Sequence, residues 1–352
     1  MGFGDFDMIC SKAALPLCPL VGPPNAFTGT QGIQPQCYSR SISLANTIIF
    51  QGAAGFAHIL ALIMTVIMII HVRSKFTAVG TSHKLKQTEE MGKPDKQVAF
   101  CRKEITTFFY MYLLLSAFSL ILDCGVVPLG SAAYPYFVAA QAGLASSTCV
   151  CLMINGFVGF QLYEDGTRLS VWLLRTCVVA LFAISFAISI LTFKSVAGLS
   201  PTNTVGLFVV LYLFNGIFLA VYVVMQVLLV VGTLQERWPL GHISFGVFFF
   251  VIGQVILYVF ADQVCEGVQH YMDGLLFATV CNLLAVMMVY KYWDSITRED
   301  LEFSVGQRLN NWEVKELMQD NDHATTDYQD SDYAASMYQP RHRTSVGGST
   351  GY

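Results

Sequence analysis

Cys265-Glu266-Gly267-Val268-Gln269-His270-Tyr271-Met272-Asp273-Gly274 leads straight into the uncharged run Leu275 to Tyr290, and that run ends on Lys291-Tyr292-Trp293-Asp294. From Tyr271 to Tyr290 the chain has the length and polarity of a membrane-crossing helix, since a hydrocarbon core about 30 Å thick takes roughly 20 apolar helical residues. The stretch therefore reads as an acidic and aromatic junction, a span, and a charged exit where Trp293 and Tyr292 are expected to anchor the membrane interface. Working outward, the same pattern recurs in the runs Leu44 to Ile70, Ile105 to Val127, Phe137 to Phe160, Val171 to Phe193, Val205 to Val231 and Ile243 to Ala261. The composition agrees: 54% of the 352 residues are hydrophobic and 12% are charged, about half the charge of a soluble domain. The expected fold class is an all-α integral membrane protein with seven transmembrane helices. A net charge of -4 supplies no basic field for nucleic acid.

Basic residues stay on the cytosolic side of a membrane, and here 17 of the 20 fall on one side. That side holds the first connection, Arg168, Arg175, Arg237 and the C-terminal tail, against Lys12, Arg40 and Lys194 on the other. The N-terminus is thus expected to be lumenal and the C-terminus cytosolic, as an odd number of spans requires. The expected organisation is a lumenal tail over 1–43, a membrane domain over 44–293 with a cytosolic loop over 71–104, and a tail over 294–352. Residues 1–43 lack a basic start and are broken by Pro16, Pro19, Pro23 and Pro24, so they read as a retained, irregular tail and not as a signal peptide. After Phe303 the acidic and amide-rich sequence holds too little apolar surface to offset chain entropy, and a disordered tail is expected.

Within the spans, Gly52, Gly55, Gly156, Gly159, Ala183 and Ala187 suit close helix contact. Asn155, Asn215, Gln226, Gln254 and Asn282 suit hydrogen bonding between helices. Five cysteines, Cys10, Cys18, Cys37, Cys124 and Cys265, map to the lumenal side, where disulfides form. A bridge from the N-terminal tail to Cys124 or Cys265 is one reading and small buried thiols are the other. The spacing does not choose a pairing, and an odd count leaves one over.

Ionisable groups at a span boundary are functional candidates by default, and Asp123, Asp262, Glu266, His270 and Asp273 raise the question of a metal site. No HExxH or similar pair accompanies them, so helix caps and interfacial hydrogen-bonding groups are the better reading. No metal, cofactor or catalytic residue is assigned. Phosphate-binding loops are absent, and no span has an acidic residue at its midpoint, as ion-coupled transport usually needs. A seven-helix receptor or sensor is the alternative, although Tyr163-Glu164-Asp165-Gly166-Thr167 lacks the basic aromatic triplet common in receptors. Asp300-Leu301-Glu302 has the acidic-x-acidic form read by vesicle coat adaptors, a three-residue signal that charged turns often produce by chance.

One family carries most of these motifs together. They are Phe3 and Phe6 with Ile9-Cys10, Leu15-Pro16-Leu17-Cys18, Cys37-Tyr38 with Arg40-Ser41-Ile42, Asp123-Cys124-Gly125-Val126, and Tyr134-Pro135-Tyr136-Phe137. They continue as Glu164-Asp165-Gly166-Thr167, Phe248-Phe249-Phe250-Val251 with Gly253-Gln254-Val255, Cys265-Glu266-Gly267, His270-Tyr271 with Asp273-Gly274-Leu275, Met287-Met288-Val289-Tyr290-Lys291 with Trp293-Asp294, and Asp300-Leu301-Glu302-Phe303. The chain resembles the fungal chitin synthase export chaperone family. It departs from the family pattern at Thr81 to Cys101, a polar stretch that reads as an insert from a lineage insertion or a retained intron. Without its four lysines the charge bias still stands at 13 against 3.

The resemblance implies an endoplasmic reticulum membrane chaperone, not an enzyme, that helps a chitin synthase fold and leave that compartment in support of cell wall chitin synthesis. Its partners would be the chitin synthase, vesicle coat adaptors and membrane lipids. The candidate contacts for client or trafficking machinery are Asp123, Gln254, Glu266, His270 and Asp273 in the bundle and Trp293 at its exit. Glu164, Asp165, Asp300 and Glu302 join them on the cytosolic side.

Overall fold

The structure is a computed structural model, and it describes residues 4–23, 32–37, 39–44, 47–86, 101–158, 168–196, 198–233 and 237–297. Two compact units divide the chain, Met1–Asp294 and Ser295–Tyr352. Of the second, only the helical residues Ser295 to Thr297 are described.

Seven helices are long and apolar enough to cross a membrane: Gly52–Ser74, Glu104–Asp123, Tyr134–Phe157, Val171–Phe193, Val205–Gly232, Trp238–Gly267 and Gly274–Thr297, with mean hydropathy from 1.7 to 2.5. Only a helix or a closed barrel satisfies every backbone group where water is absent, so uninterrupted apolar sequence of this length resolves to helix. Several hydroxyls inside the spans turn back on their own helix. Thr65 Oγ1 donates to the Ala61 carbonyl at 2.6 Å, Ser189 to Ser185 at 2.8 Å and Thr279 to Leu275 at 2.8 Å.

The expected spans are met to within a few residues except at the ends of the first and sixth and the end of the seventh. Leu44 does not open a helix. Ile42–Leu44 (β1) and Thr47–Ile49 (β2) form an antiparallel hairpin with Ile42 opposite Ile49, as β-branched residues favour. The chain then turns through Gln51 at φ 44°. A Cβ on Gly52 would lie 2.5 Å from Ile42 Cδ1, so glycine lets the hairpin fold against the first turn. The first helix also outlasts its span and runs from Gly52 to Lys86. Residues 81–86 are therefore helix and not loop. No proline lies between Gly52 and Pro94, and helix propagation is cooperative. The second helix is already under way at Cys101. The rest of the proposed insert, 87–100, and most of the C-terminal tail lie outside the described residues.

The N-terminal segment also departs from expectation, because it is a folded cap. Asp7–Lys12 forms a short helix (α1), Cys18–Leu20 a 3-10 turn, and Cys10 is bonded to Cys18. Phe6, Cys10, Cys18 and Val21 bury themselves around Leu207 of the fifth span. Pro16, Pro19 and Pro23 punctuate the segment without preventing order. A segment too short for its own core is stapled by a disulfide and borrows a core from the bundle.

Away from the cap, the largest core gathers Met68 and Val72 of span one, Phe108 and Phe109 of span two, Cys151 of span three, Leu174 of span four, Tyr222 of span five and Tyr290 with Trp293 of span seven. Spans six and seven come close enough that a Cβ on Gly253 would lie 2.7 Å from Cys281 Cβ. Spans five and six each contain a π-helical stretch, Val209–Phe214 and Ile256–Phe260. Such stretches re-aim side chains locally. These two face each other, with Tyr258 Oη donating to Tyr212 Oη at 3.2 Å. The cap lands there, Phe6 standing edge-on to Phe208 and Tyr212 at 6.1 and 5.9 Å between centroids, and Ala13 and Leu15 packing with Leu257 and Tyr258.

Candidate functional site: the cap and the entry to the last span

The cap is tied to connections all round its face. Gln51 Nε2, before span one, donates to the Ala14 carbonyl at 3.2 Å. Tyr134 Oη, opening span three, donates to the Pro16 carbonyl at 2.7 Å. Before span five, Thr204 Oγ1 donates to the Gly4 carbonyl and Gly22 N–H to the Pro201 carbonyl, each at 2.8 Å. At the entry to span seven the link is covalent, since Cys37 is bonded to Cys265 across 228 residues of sequence with Cα atoms 6.2 Å apart.

Beside that disulfide the chain makes two unusual turns, Gln269 at φ 53° and His270 at φ 66°. Non-glycine residues rarely adopt such angles. Hydrogen bonds on both sides hold His270: its N–H donates to the Cys265 carbonyl at 2.9 Å and its carbonyl accepts from Arg40 N–H at 2.8 Å. Arg40 also lies over the Tyr271 ring, 5.1 Å from its centroid. The His270 Nδ1 comes within 3.1 Å of Cys37 Sγ and 3.7 Å of Cys265 Sγ.

Asp273 caps the last helix. Its Oδ1 accepts from Leu276 N–H at 3.2 Å and its Oδ2 accepts from Ser39 Oγ at 3.4 Å, the geometry that satisfies an orphan donor at a helix start. Burial pushes its carboxyl above the ordinary range. The Leu276 N–H opposes that shift and the charge of Asp123 adds to it. Asp123 ends span two and pairs with His58 of span one, Oδ2 to Nε2 at 2.9 Å, both side chains buried. Cys124, next to it, is a free thiol, raised by burial and then by Asp123. Its Sγ occupies the space that Gly55 leaves open on span one.

Sequence reasoning thus found Asp273 as a cap and Cys265 as a disulfide end, and the structure assigns the rest. The bridge from the tail runs from Cys37 to Cys265 and not to Cys124, and Cys10 meets Cys18. Gln254, half-buried, donates from Nε2 to Asn282 Oδ1 across spans six and seven at 3.4 Å. Trp293 and Tyr292, expected as interfacial anchors, are buried at 8% and 5% exposure. Trp293 stacks near Tyr290 and Tyr292 Oη donates to Gln226 Oε1, because the last helix runs inside the bundle at that depth. Glu266 and His270 are exposed. Glu164, Asp165, Asp300 and Glu302 lie outside the described residues.

Two pairings had no separate signal in the sequence: His58 with Asp123, and His71 Nδ1 with Tyr290 Oη at 3.0 Å. Each joins residues far apart in the chain. The boundary groups Asp123, Asp262, Glu266, His270 and Asp273, set aside above as a metal site, do not come together as one cluster among the described residues. Among the described residues the His, Cys, Asp or Glu donors that come together are those of Cys37, Cys265 and His270, within 4.8 Å of one another, and the two sulfurs are bonded to each other.

A family described as chitin synthase export chaperone matches residues 2–85 and 92–307. The chain belongs to the chitin synthase export chaperone family. The match omits only 86–91 from the stretch 81–101 that reads as an insert. A chitin synthase export chaperone of Phaeosphaeria nodorum is 65% identical over 342 residues, covering 97% of this chain and 96% of its own. One of Aspergillus oryzae is 63% identical over 348 residues, 98% of each chain, and one of Emericella nidulans is 62% identical over 354 residues, the full length of both. No solved structure matches the chain.

Proposed function

We propose that this protein is a chaperone of the endoplasmic reticulum membrane that binds a chitin synthase, assists its folding and licenses its export, acting by association and without turnover. The observation that carries this reading is family membership across the cap and all seven spans. The N-terminal cap faces the lumen and the C-terminal tail the cytosol. The charge bias of 17 basic residues to 3 supports that orientation. Two disulfides on the cap face fit an oxidising compartment.

A multispan client needs apolar helix faces within the bilayer and polar contacts outside it. Spans four, five and six are only 22, 22 and 17% buried, against 44, 44 and 56% for spans one to three. Their outward faces are the ones the client's helices share with lipid. Glu266 and His270 offer polar contacts on the lumenal side, while Glu164 and Asp165 offer them on the cytosolic side. Asp300 and Glu302 are the candidates for coat adaptors. The test is to delete the gene and follow fluorescently tagged chitin synthases. Retention of at least one in the endoplasmic reticulum, reversed by the intact gene, is expected. Normal delivery of every chitin synthase to the cell surface would overturn the reading.

A further inference from the structure

We propose that the Cys37–Cys265 disulfide is an exchange site for thiols, with His270 as the group that steadies charge on its sulfurs, so that reduction unlatches the cap from the last span.

The two disulfides of the cap differ in what surrounds them. Cys10–Cys18 closes a separation of eight residues, is 0% and 1% exposed, and is packed among Phe6, Val21 and Leu207. It is a staple inside an apolar cluster. Cys37–Cys265 joins the cap to another part of the chain and lies beside a water-sized cleft that Cys37 lines with Lys12, Asp273 and Gly274. His270 stands at 3.1 Å from Cys37 Sγ and 3.7 Å from Cys265 Sγ, on a solvent-exposed residue locked in a left-handed conformation from both sides. A backbone held in a rarely populated region is a recurrent mark of functional sites. Here its effect is to aim an imidazole at a cystine.

The chemistry follows from that placement. An incoming thiolate attacks Cys37 Sγ, which belongs to the more open residue of the pair at 6% exposure against 1%. A bond forms between the incoming sulfur and Cys37, the Cys37–Cys265 bond breaks, and Cys265 leaves with the electron pair as thiolate. The imidazolium of His270 meets the developing negative charge and can hand its proton to the leaving sulfur. A second thiolate attacks the mixed disulfide, releasing Cys37 and an oxidised thiol pair. Two electrons have then passed from two thiols to the cystine. A neighbouring His⁺ lowers a thiol's pKa and makes it a better leaving group. Opening frees the Ser39, Arg40 and Cys37 side of the cap from Asp273 and His270, while the Phe6 cluster still anchors the other side on span five.

The test uses the full chain in lipid nanodiscs, exposed in separate arms to reduced glutathione and to a dithiol oxidoreductase, then acid-quenched and mass-tagged at free thiols. Cys37 and Cys265 should become labelled at least about tenfold faster than Cys10 and Cys18 in one or both arms, the faster arm naming the physiological class of thiol. His270→Gln should slow that opening by about tenfold, leave Cys10–Cys18 unchanged, and shift the pair toward the oxidised form by about tenfold in a glutathione buffer. Equal opening rates for the two disulfides, or a His270→Gln protein unchanged in both rate and equilibrium, would overturn the proposal. The comparison of disulfides within the unaltered chain decides the matter even where the substitution disturbs the loop.

Discussion

The two ends of the bundle are held by different physics. At the cap end, cross-links and polar contacts dominate: two disulfides, a buried His58–Asp123 pair, Asp273 as a helix cap, and hydrogen bonds from the cap to the openings of spans one, three and five. At the other end, Phe108, Phe109, Tyr290 and Trp293 pack in edge-on and tilted pairs, with two tyrosine hydroxyls closing on His71 and Gln226. The difference teaches where each part gets its order. Helix ends deep in the bundle are fixed by shape and dispersion. The cap has no such helices, so it is fixed by bonds to chain far from it in sequence.

The comparison can be broken at either end. The largest effect is expected for Phe109→Ala, which empties the middle of the aromatic core: a loss of about 3–5 kcal/mol, read as a lowered unfolding midpoint in detergent with both disulfides intact. Should that substitution prove neutral, the account of the aromatic end fails. His58→Ala comes next and strands a buried Asp123, at about 3 kcal/mol. Adding Asp123→Leu should recover much of it, since an apolar pair needs no partner; no recovery would mean that the two residues do not act as a pair. Cys265→Ser removes the long-range link and should lower stability by about 2–4 kcal/mol. Proteolysis should then cut the segment around Cys37 while leaving the seven spans protected, and loss of the spans instead would erase the distinction between the two ends.

The smallest effect sharpens the comparison through pH. Burial raises the Asp273 carboxyl above its unfolded value, so in the interval between the two values the folded state binds more protons than the unfolded. Stability contributed by this group therefore falls as pH rises through that interval and is flat below it. Asp273→Asn, neutral throughout, should flatten that part of the pH profile of thermal unfolding. A variant that keeps the same slope would show that another group is responsible.

Much of the membrane domain was legible because a span is a local property. From Val171 to Phe193, for instance, the hydropathy of one uninterrupted run determines its state whatever surrounds it, and both bounds matched. The start of span one was not legible, since Leu44 to Ile49 is apolar enough for a helix and only the pairing of Ile42–Leu44 with Thr47–Ile49 against Gly52 makes those residues strand. Trp293 and Tyr292 misled for a related reason. Aromatic residues beside a charged exit usually sit at the lipid interface, but here neighbouring spans cover them. At the site, Asp273 could be read as a cap from its place before an apolar run, whereas His58 gave no sign of meeting Asp123.

The sequence by itself determined seven spans, a charge asymmetry and a set of cysteines gathered on one side, all of which follow from composition along short windows. Only the tertiary structure decided that Cys37 closes on Cys265 while Cys124 sits in the gap at Gly55, that the prolines of the first residues belong to an ordered cap, and that His270 is turned onto a disulfide. Those outcomes depend on which helix ends are brought together. A pairing across 228 residues is a fact about how seven helices pack, and no window of sequence contains it.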